Sequence, residues 1–229
     1  MKAIRIHGRG GPERLVYEDI PPPHPDQAEV LVRVYATVVI WTELTWDETY
    51  QTEAGNPRAL PIPGHDVSGV VEQIGPGVTD LALGSEVYGL TAFERDGAEA
   101  EYTIALTSEL APKPRSLDHV QAAAVPLSAL TAWQALFDHG GLVAGQTVLI
   151  HGAAGAVGVF AVQLARWTGA QVIATASSRH RTLLSELGAT EMIDYATTHS
   201  RSACASSGAL AWRFPRWDVF GSKPAYPVL

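Results

Sequence analysis

The stretch "VLIHGAAGAVGVFAVQLAR", Val148–Arg166, constrains this chain more than any other. An apolar run rich in β-branched residues stops at Ile150. Three glycines follow at G-x-x-G-x-x-G spacing, Gly152, Gly155 and Gly158, and an apolar helical pattern opens at once. Between a strand and a helix, each glycine has a physical task. The first permits a tight turn out of the strand, the second lets the backbone approach a diphosphate, and the third allows close helix–strand packing. Backbone N–H groups at the helix start then face the phosphates, and the helix dipole favours their charge. Gly152, Ala153, Ala154, Gly155, Ala156, Val157 and Gly158 are therefore the candidate dinucleotide cradle.

The surrounding pattern supports this. "QTVLIHG", "AVGVFAVQLARWTG", "AQVIATASS", "RTLLSELG" and "ATEMIDY" alternate strand, helix, strand, helix, strand, the order of a parallel sheet. The end of the second strand chooses between cofactors. NAD sites usually carry an acid there for the ribose 2′-hydroxyl. Here "ATASSRHR" has no acid, but offers Ser177, Ser178, Arg179 and Arg181. Hydroxyls and guanidinium groups suit a 2′-phosphate, so NADPH is the expected cofactor.

The first half reads differently. Lys2–Ile6 and residues 29–39 are expected strands, with the stiff loop "IPPPHPDQ" between them. Residues 41–64 read mostly as loop with one short helix. "HDVSGVVEQIGPGV", "LGSEVYGLT" and "AEYTIAL" are further short strands, giving a compact antiparallel barrel or sandwich. Near Leu117 an Ala/Leu-rich helical region begins, with Ser116 or Asp118 as N-cap. The expected division is residues 1–116, 117–198 and an atypical tail, 199–229.

That tail holds four of the 16 Lys+Arg and one of the 24 Asp+Glu, so it carries +3 while the residues before it carry −11. It shows no sustained period. Three readings stand: an irregular extension, a segment read out of frame after a truncation, or a recognition and packing segment. The net charge of −8 argues against a nucleic-acid partner. The start lacks the apolar core of a signal peptide, and no apolar run approaches the roughly 20 residues a membrane helix needs. A cytoplasmic protein with no membrane partner is expected. The single cysteine, Cys204, excludes an intrachain disulfide and a four-cysteine zinc site.

Taken together, "PGHDVSGVVEQIGPGV" (63–78), "AEYTIAL" (100–106), "PLSALTAWQAL" (126–136), the glycine stretch and "LGATEMIDY" (187–195) resemble the medium-chain dehydrogenase/reductase superfamily. Within it, the chain is similar to the zinc-free quinone oxidoreductase (zeta-crystallin-like) group, from Met1 to about Thr198. The resemblance implies a GroES-like β-barrel catalytic domain followed by an incomplete Rossmann domain, a doubly wound parallel sheet short of its usual strands. It implies NADPH-dependent reduction of a quinone or enone substrate, and a homodimer. It places Thr131 beside the nicotinamide and Tyr195 near the adenosine phosphate. The loop "IWTELTWDETY" offers Thr42, Trp46 and Tyr50 to the substrate, with aromatic walls for a flat quinone. Relatives often carry a small polar residue and proline where this chain has Ile40-Trp41, which alters the pocket. The proton after hydride addition comes from water or Tyr50.

Zinc-dependent relatives need a Cys and a His at the metal. Here His65 remains without any Cys before residue 204, and Asp66 and Glu43 are the carboxylates left to assist it. That set falls short of a tetrahedral site, so no metal is expected. Two alternatives to an active reductase remain: a remnant that keeps the fold without turnover, and a zinc alcohol dehydrogenase.

Overall fold

The computed structural model describes residues 1–52, 54–197 and the backbone of 210–212. The chain divides into two compact units, Met1–Leu127 and Ser128–Leu229.

In the first unit β1 (Lys2–Ile6) pairs antiparallel with β2 (Leu15–Asp19). The sequence reading had placed no strand at 15–19. "LVYED" ends in two acids and shows no clean alternation, and it is held by its register to β1. The main sheet contains β3 (Glu29–Thr37), β4 (Asp66–Ile74), β5 (Glu86–Leu90), β6 (Tyr102–Leu106) and β7 (Leu110–Pro112), in the order β6-β3-β4-β5-β7 and antiparallel throughout. Period-two alternation sends Val30 and Val32 inward against Val67, Val71 and Val87. Gly69 is required where β4 meets β3, because a Cβ there would run into the Arg33 carbonyl. A 3-10 turn at Trp41–Thr45 and the short helix α1 (Asp47–Tyr50) form the loop reading of residues 41–64.

The unit runs eleven residues past Ser116, through Leu127, and includes α2 (His119–Ala123). Asp118 is the N-cap: its Oδ1 accepts the Gln121 N–H at 2.7 Å, and Gln121 Oε1 accepts the Asp118 N–H at 3.1 Å. His119 stacks on Tyr35 at 4.6 Å and lies 2.8 Å from Ser68 Oγ, so α2 belongs with the antiparallel sheet.

The division between the units falls inside α3 (Pro126–Trp133), which continues as a π-helical turn at Gln134–His139. Residues His119–His139 have the length and mean hydropathy, 1.2, of a membrane-crossing helix by length and composition only. The stretch is interrupted before Pro126, and Ala132 and Leu136 pack into the second unit's core. Next come β8 (Thr147–Ile150), α4 (Ala156–Thr168), β9 (Gln171–Ala176), α5 (Arg181–Leu187) and β10 (Glu191–Asp194). All three strands are parallel. Val148, Ile150, Val172 and Ala174 meet Ala161, Val162 and Ala165 of α4 and Leu184 of α5 in one apolar core. Gly169 and Gly188 end the two helices in the left-handed conformation. A fourth strand, β11 (Leu210–Trp212), pairs parallel with β8 on the side away from β9. The readings of the tail otherwise fall outside the described residues.

Candidate functional site

In a parallel sheet, ligands gather at the carboxyl ends of the strands. The residues selected from sequence in the second unit follow those ends in turn. The glycine turn follows β8, Ser177 follows β9 and Tyr195 follows β10. Gly152 turns the chain at φ +64°, a conformation that disfavours any side chain. Gly155 is the N-cap of α4, so the first-turn N–H groups have no partner within the helix. The third glycine serves a different contact from the one expected. A Cβ at Gly158 would meet Ala153 Cα at 2.7 Å and run into the Gly152 carbonyl, so it allows helix to pack on turn rather than helix on strand.

The turn is fastened to β9. Thr175 Oγ1 accepts the Gly152 N–H at 3.2 Å and lies 3.2 Å from His151 Nδ1, while the Thr175 carbonyl accepts the Ala153 N–H at 3.0 Å. The sequence reading missed Thr175. Its one visible signal is that it precedes Ser177 by two in an extended chain, on the same side.

Ser177 Oγ is buried with no partner among the described residues. Arg179 and Arg181 are exposed and form no ion pair among the described residues, although Arg179 Nε donates to His180 Nε2 at 2.9 Å. An orphaned buried hydroxyl, two cations and no acid fit a phosphate on the adenosine ribose. A turn that a Cβ would fill fits a diphosphate. Thr131 is half-buried on α3 and makes no bond to its own helix, unlike Thr168, whose Oγ1 donates to the Leu164 carbonyl. Tyr195 is exposed.

In the first unit the loop residues separate. Thr42 is half-buried, and Trp46 meets Phe93 edge-on at 5.3 Å. Tyr50 is put to structural use. Its hydroxyl donates to the Leu44 carbonyl at 2.8 Å, its ring packs with Ile6 and Leu44, and the Arg9 guanidinium lies 4.4 Å above it. Burial also pushes its pKa up. With its proton committed to a carbonyl, Tyr50 is not placed as a proton donor.

His65, Asp66 and Glu43 are all buried here, each with its own bond. His65 Nδ1 lies 3.2 Å from Thr91 Oγ1, and burial, assisted by Arg58, lowers its pKa to about 3. Asp66 Oδ1 accepts the Leu127 N–H at 2.8 Å, and burial raises its pKa to about 7. Glu43 Oε2 accepts the Gly64 N–H at 2.7 Å while Oε1 has no partner among the described residues, and burial, with Glu99 and Asp66 adding repulsion, raises it to about 7. Among the described residues no group of three His, Cys, Asp or Glu is arranged to hold a metal. One atom of each side chain is held by a backbone or hydroxyl bond, and the set of one histidine and two carboxylates without a thiolate does not make the arranged group that zinc requires.

Comparison with known proteins agrees with this construction. Residues 26–115 match the alcohol dehydrogenase GroES-like domain, and residues 156–209 match a family described as zinc-binding dehydrogenase. The chain is 42% identical over 187 residues to a probable zinc-binding mitochondrial oxidoreductase of Arthroderma benhamiae, covering 78% of this chain and 55% of that one. It is 36% identical over 200 residues to the quinone oxidoreductase of Rattus norvegicus, covering 85% and 59%. Among solved structures, an NAD-dependent alcohol dehydrogenase superposes with TM-score 0.80 at 33% identity, covering 92% of this chain and 68% of that one. A mycobacterial protein complexed with NADPH superposes with TM-score 0.71 at 32% identity, covering 85% and 58%. The chain thus spans 55% to 59% of the length of these two relatives. An antiparallel GroES-like unit, a glycine turn opening a parallel βαβ sheet and these matches lead to one assignment: the chain belongs to the quinone oxidoreductase group of the medium-chain dehydrogenase/reductase superfamily.

Proposed function

We propose that this chain binds NADPH and reduces quinones or α,β-unsaturated carbonyls by hydride transfer without a metal. The observation that supports this most is the acid-free end of β9, where a buried Ser177 hydroxyl without a partner precedes Arg179 and Arg181. The mycobacterial relative solved with NADPH and the rat quinone oxidoreductase point the same way. When bound, the nicotinamide supplies the hydride. The chain's own residues bind and orient. N–H groups at the α4 end of the Gly152–Gly158 turn, those of Ala156, Val157 and Gly158, hold the diphosphate, and Ser177, Arg179 and Arg181 hold the 2′-phosphate. Thr131 and Tyr195 contact the rest of the cofactor. Thr42 and Trp46 wall the substrate. A quinone or enone is already electron-poor, so alignment and exclusion of water suffice. With the Tyr50 hydroxyl held by Leu44, the proton comes from water.

The test is a fluorescence titration with NADPH and NADH, followed by quinone-dependent NADPH oxidation. Micromolar NADPH binding, at least about tenfold tighter than NADH, with turnover supports the reading. A preference for NADH overturns the cofactor choice. A second reading, a dinucleotide binder without turnover, draws on the chain's 55% to 59% span of its relatives. Binding without oxidation selects it, and no binding of either dinucleotide overturns both.

A further inference from the structure

The β8–β9 ladder ends at Ile150↔Ala174, one residue short of Thr175. Beyond that point no strand pairing among the described residues restrains the glycine turn. Thr175 takes over. It is 3% exposed, and it ties three consecutive turn residues to β9: His151 Nδ1 and the Gly152 N–H meet its hydroxyl, and the Ala153 N–H meets its carbonyl. Gly152 has the widest backbone freedom of any residue type, so a bond to its N–H selects one conformation among many. Thr175 also stands two residues before Ser177, which is still extended at φ −71°, ψ 150°. Alternation puts both hydroxyls on one side of the chain, away from Val172, Ala174 and Ala176, which face the core.

We infer that Thr175 is a positioning residue that sets the diphosphate turn in register with Ser177, so that one dinucleotide meets both. The inference rests on the cofactor reading above. The threonine side chain suits the task chemically. Its oxygen accepts from the turn, its methyl fills buried space, and its β-branch limits χ1 to few rotamers. Valine keeps the shape and leaves the Gly152 N–H without its acceptor. Serine keeps the acceptor and loses the methyl.

The experiment uses the full chain, wild type against Thr175→Val and Thr175→Ser. The probes are NADPH, which carries both phosphate groups, and adenosine 2′-monophosphate, which lacks the diphosphate. Thr175→Val is expected to weaken NADPH about tenfold and to leave adenosine 2′-monophosphate within about twofold. Thr175→Ser is expected to restore NADPH binding to within about threefold of wild type. NADPH binding by Thr175→Val equal to wild type, or equal loss of both probes, overturns the inference. Amide hydrogen exchange at Gly152 and Ala153 reads the turn without any ligand, and Thr175→Val is expected to speed it about tenfold. If the wild type binds no NADPH the cofactor reading fails. The exchange rates then decide the role of Thr175, and unchanged protection overturns it. Thr175→Ala serves the same comparisons if the valine variant does not fold.

Discussion

Asp66 is buried at the start of β4, and its carboxyl is raised to about 7 by loss of water. An acid with a raised folded pKa binds its proton more tightly when folded. Its contribution is fully present below the unfolded value, near 4, and is lost as pH rises through about 7. Glu43 tilts stability the same way, and His65, lowered to about 3, opposes both below its ordinary value of 6.5. Asp66→Asn keeps an oxygen for the Leu127 N–H and removes the charge. The variant is expected to match the wild type near pH 4 and to exceed it at pH 8 by about 1–4 kcal/mol in denaturant unfolding. A variant less stable than wild type at pH 8 contradicts this account. Ser177→Ala tests a buried hydroxyl. Under the proposed role, in which this hydroxyl meets the 2′-phosphate alone, its removal is expected to weaken NADPH about fivefold to tenfold and leave NADH unchanged, measured by titration. Equal loss for both dinucleotides speaks against a 2′-phosphate role.

At the level of elements, the turn into α4 carries the tightest constraint. Gly158→Ala puts a methyl 2.7 Å from Ala153 Cα, where only backbone stands to move. The expected cost is about 1–3 kcal/mol in denaturant unfolding, together with loss of dinucleotide binding. A fully stable Gly158→Ala variant that binds NADPH normally argues against this packing. The helical and strand periods of β8, α4, β9, α5 and β10 were legible because each run is long, apolar and punctuated by glycine. Residue type narrowed the cap of α2 to Ser116 or Asp118, and the reciprocal bonds with Gln121 select Asp118. β2 was not, because "LVYED" takes its strand character from its neighbour β1. The hydrogen bond of Tyr50 was not legible for a related reason. Aromatic residues on a loop read alike whether they face a ligand or the Leu44 carbonyl, and the hydrogen bond is settled by packing. Thr175 went unread because a threonine in a β-branched strand is ordinary until its turn is seen folded against it.

For the whole molecule, the question is how a short parallel sheet tolerates its edges. β9 is covered on both sides, by β8 and β10, and β8 gains its second neighbour from β11. Ending the chain at Thr198 removes β11 and leaves one row of β8 N–H and C=O groups without a partner strand. Unpaired edges of this kind template association. The shortened chain is expected to self-associate in light scattering at concentrations where the full chain does not. Identical behaviour of the two argues that β11 protects nothing. The family was legible before any fold was seen, since motifs spread from residue 63 to 195 agree. The strand at Leu210–Trp212 was not, because three residues carry no period.

The order of β8 and β11 in the chain has a consequence for biosynthesis. Leu210 is made sixty-two residues after Val148, its partner in the ladder. At ribosomal speeds that gap lasts roughly 3–12 s. During that interval the nascent domain carries its glycine turn and first helices beside a sheet not yet closed on one flank, and it is then that a chaperone would find the most to hold.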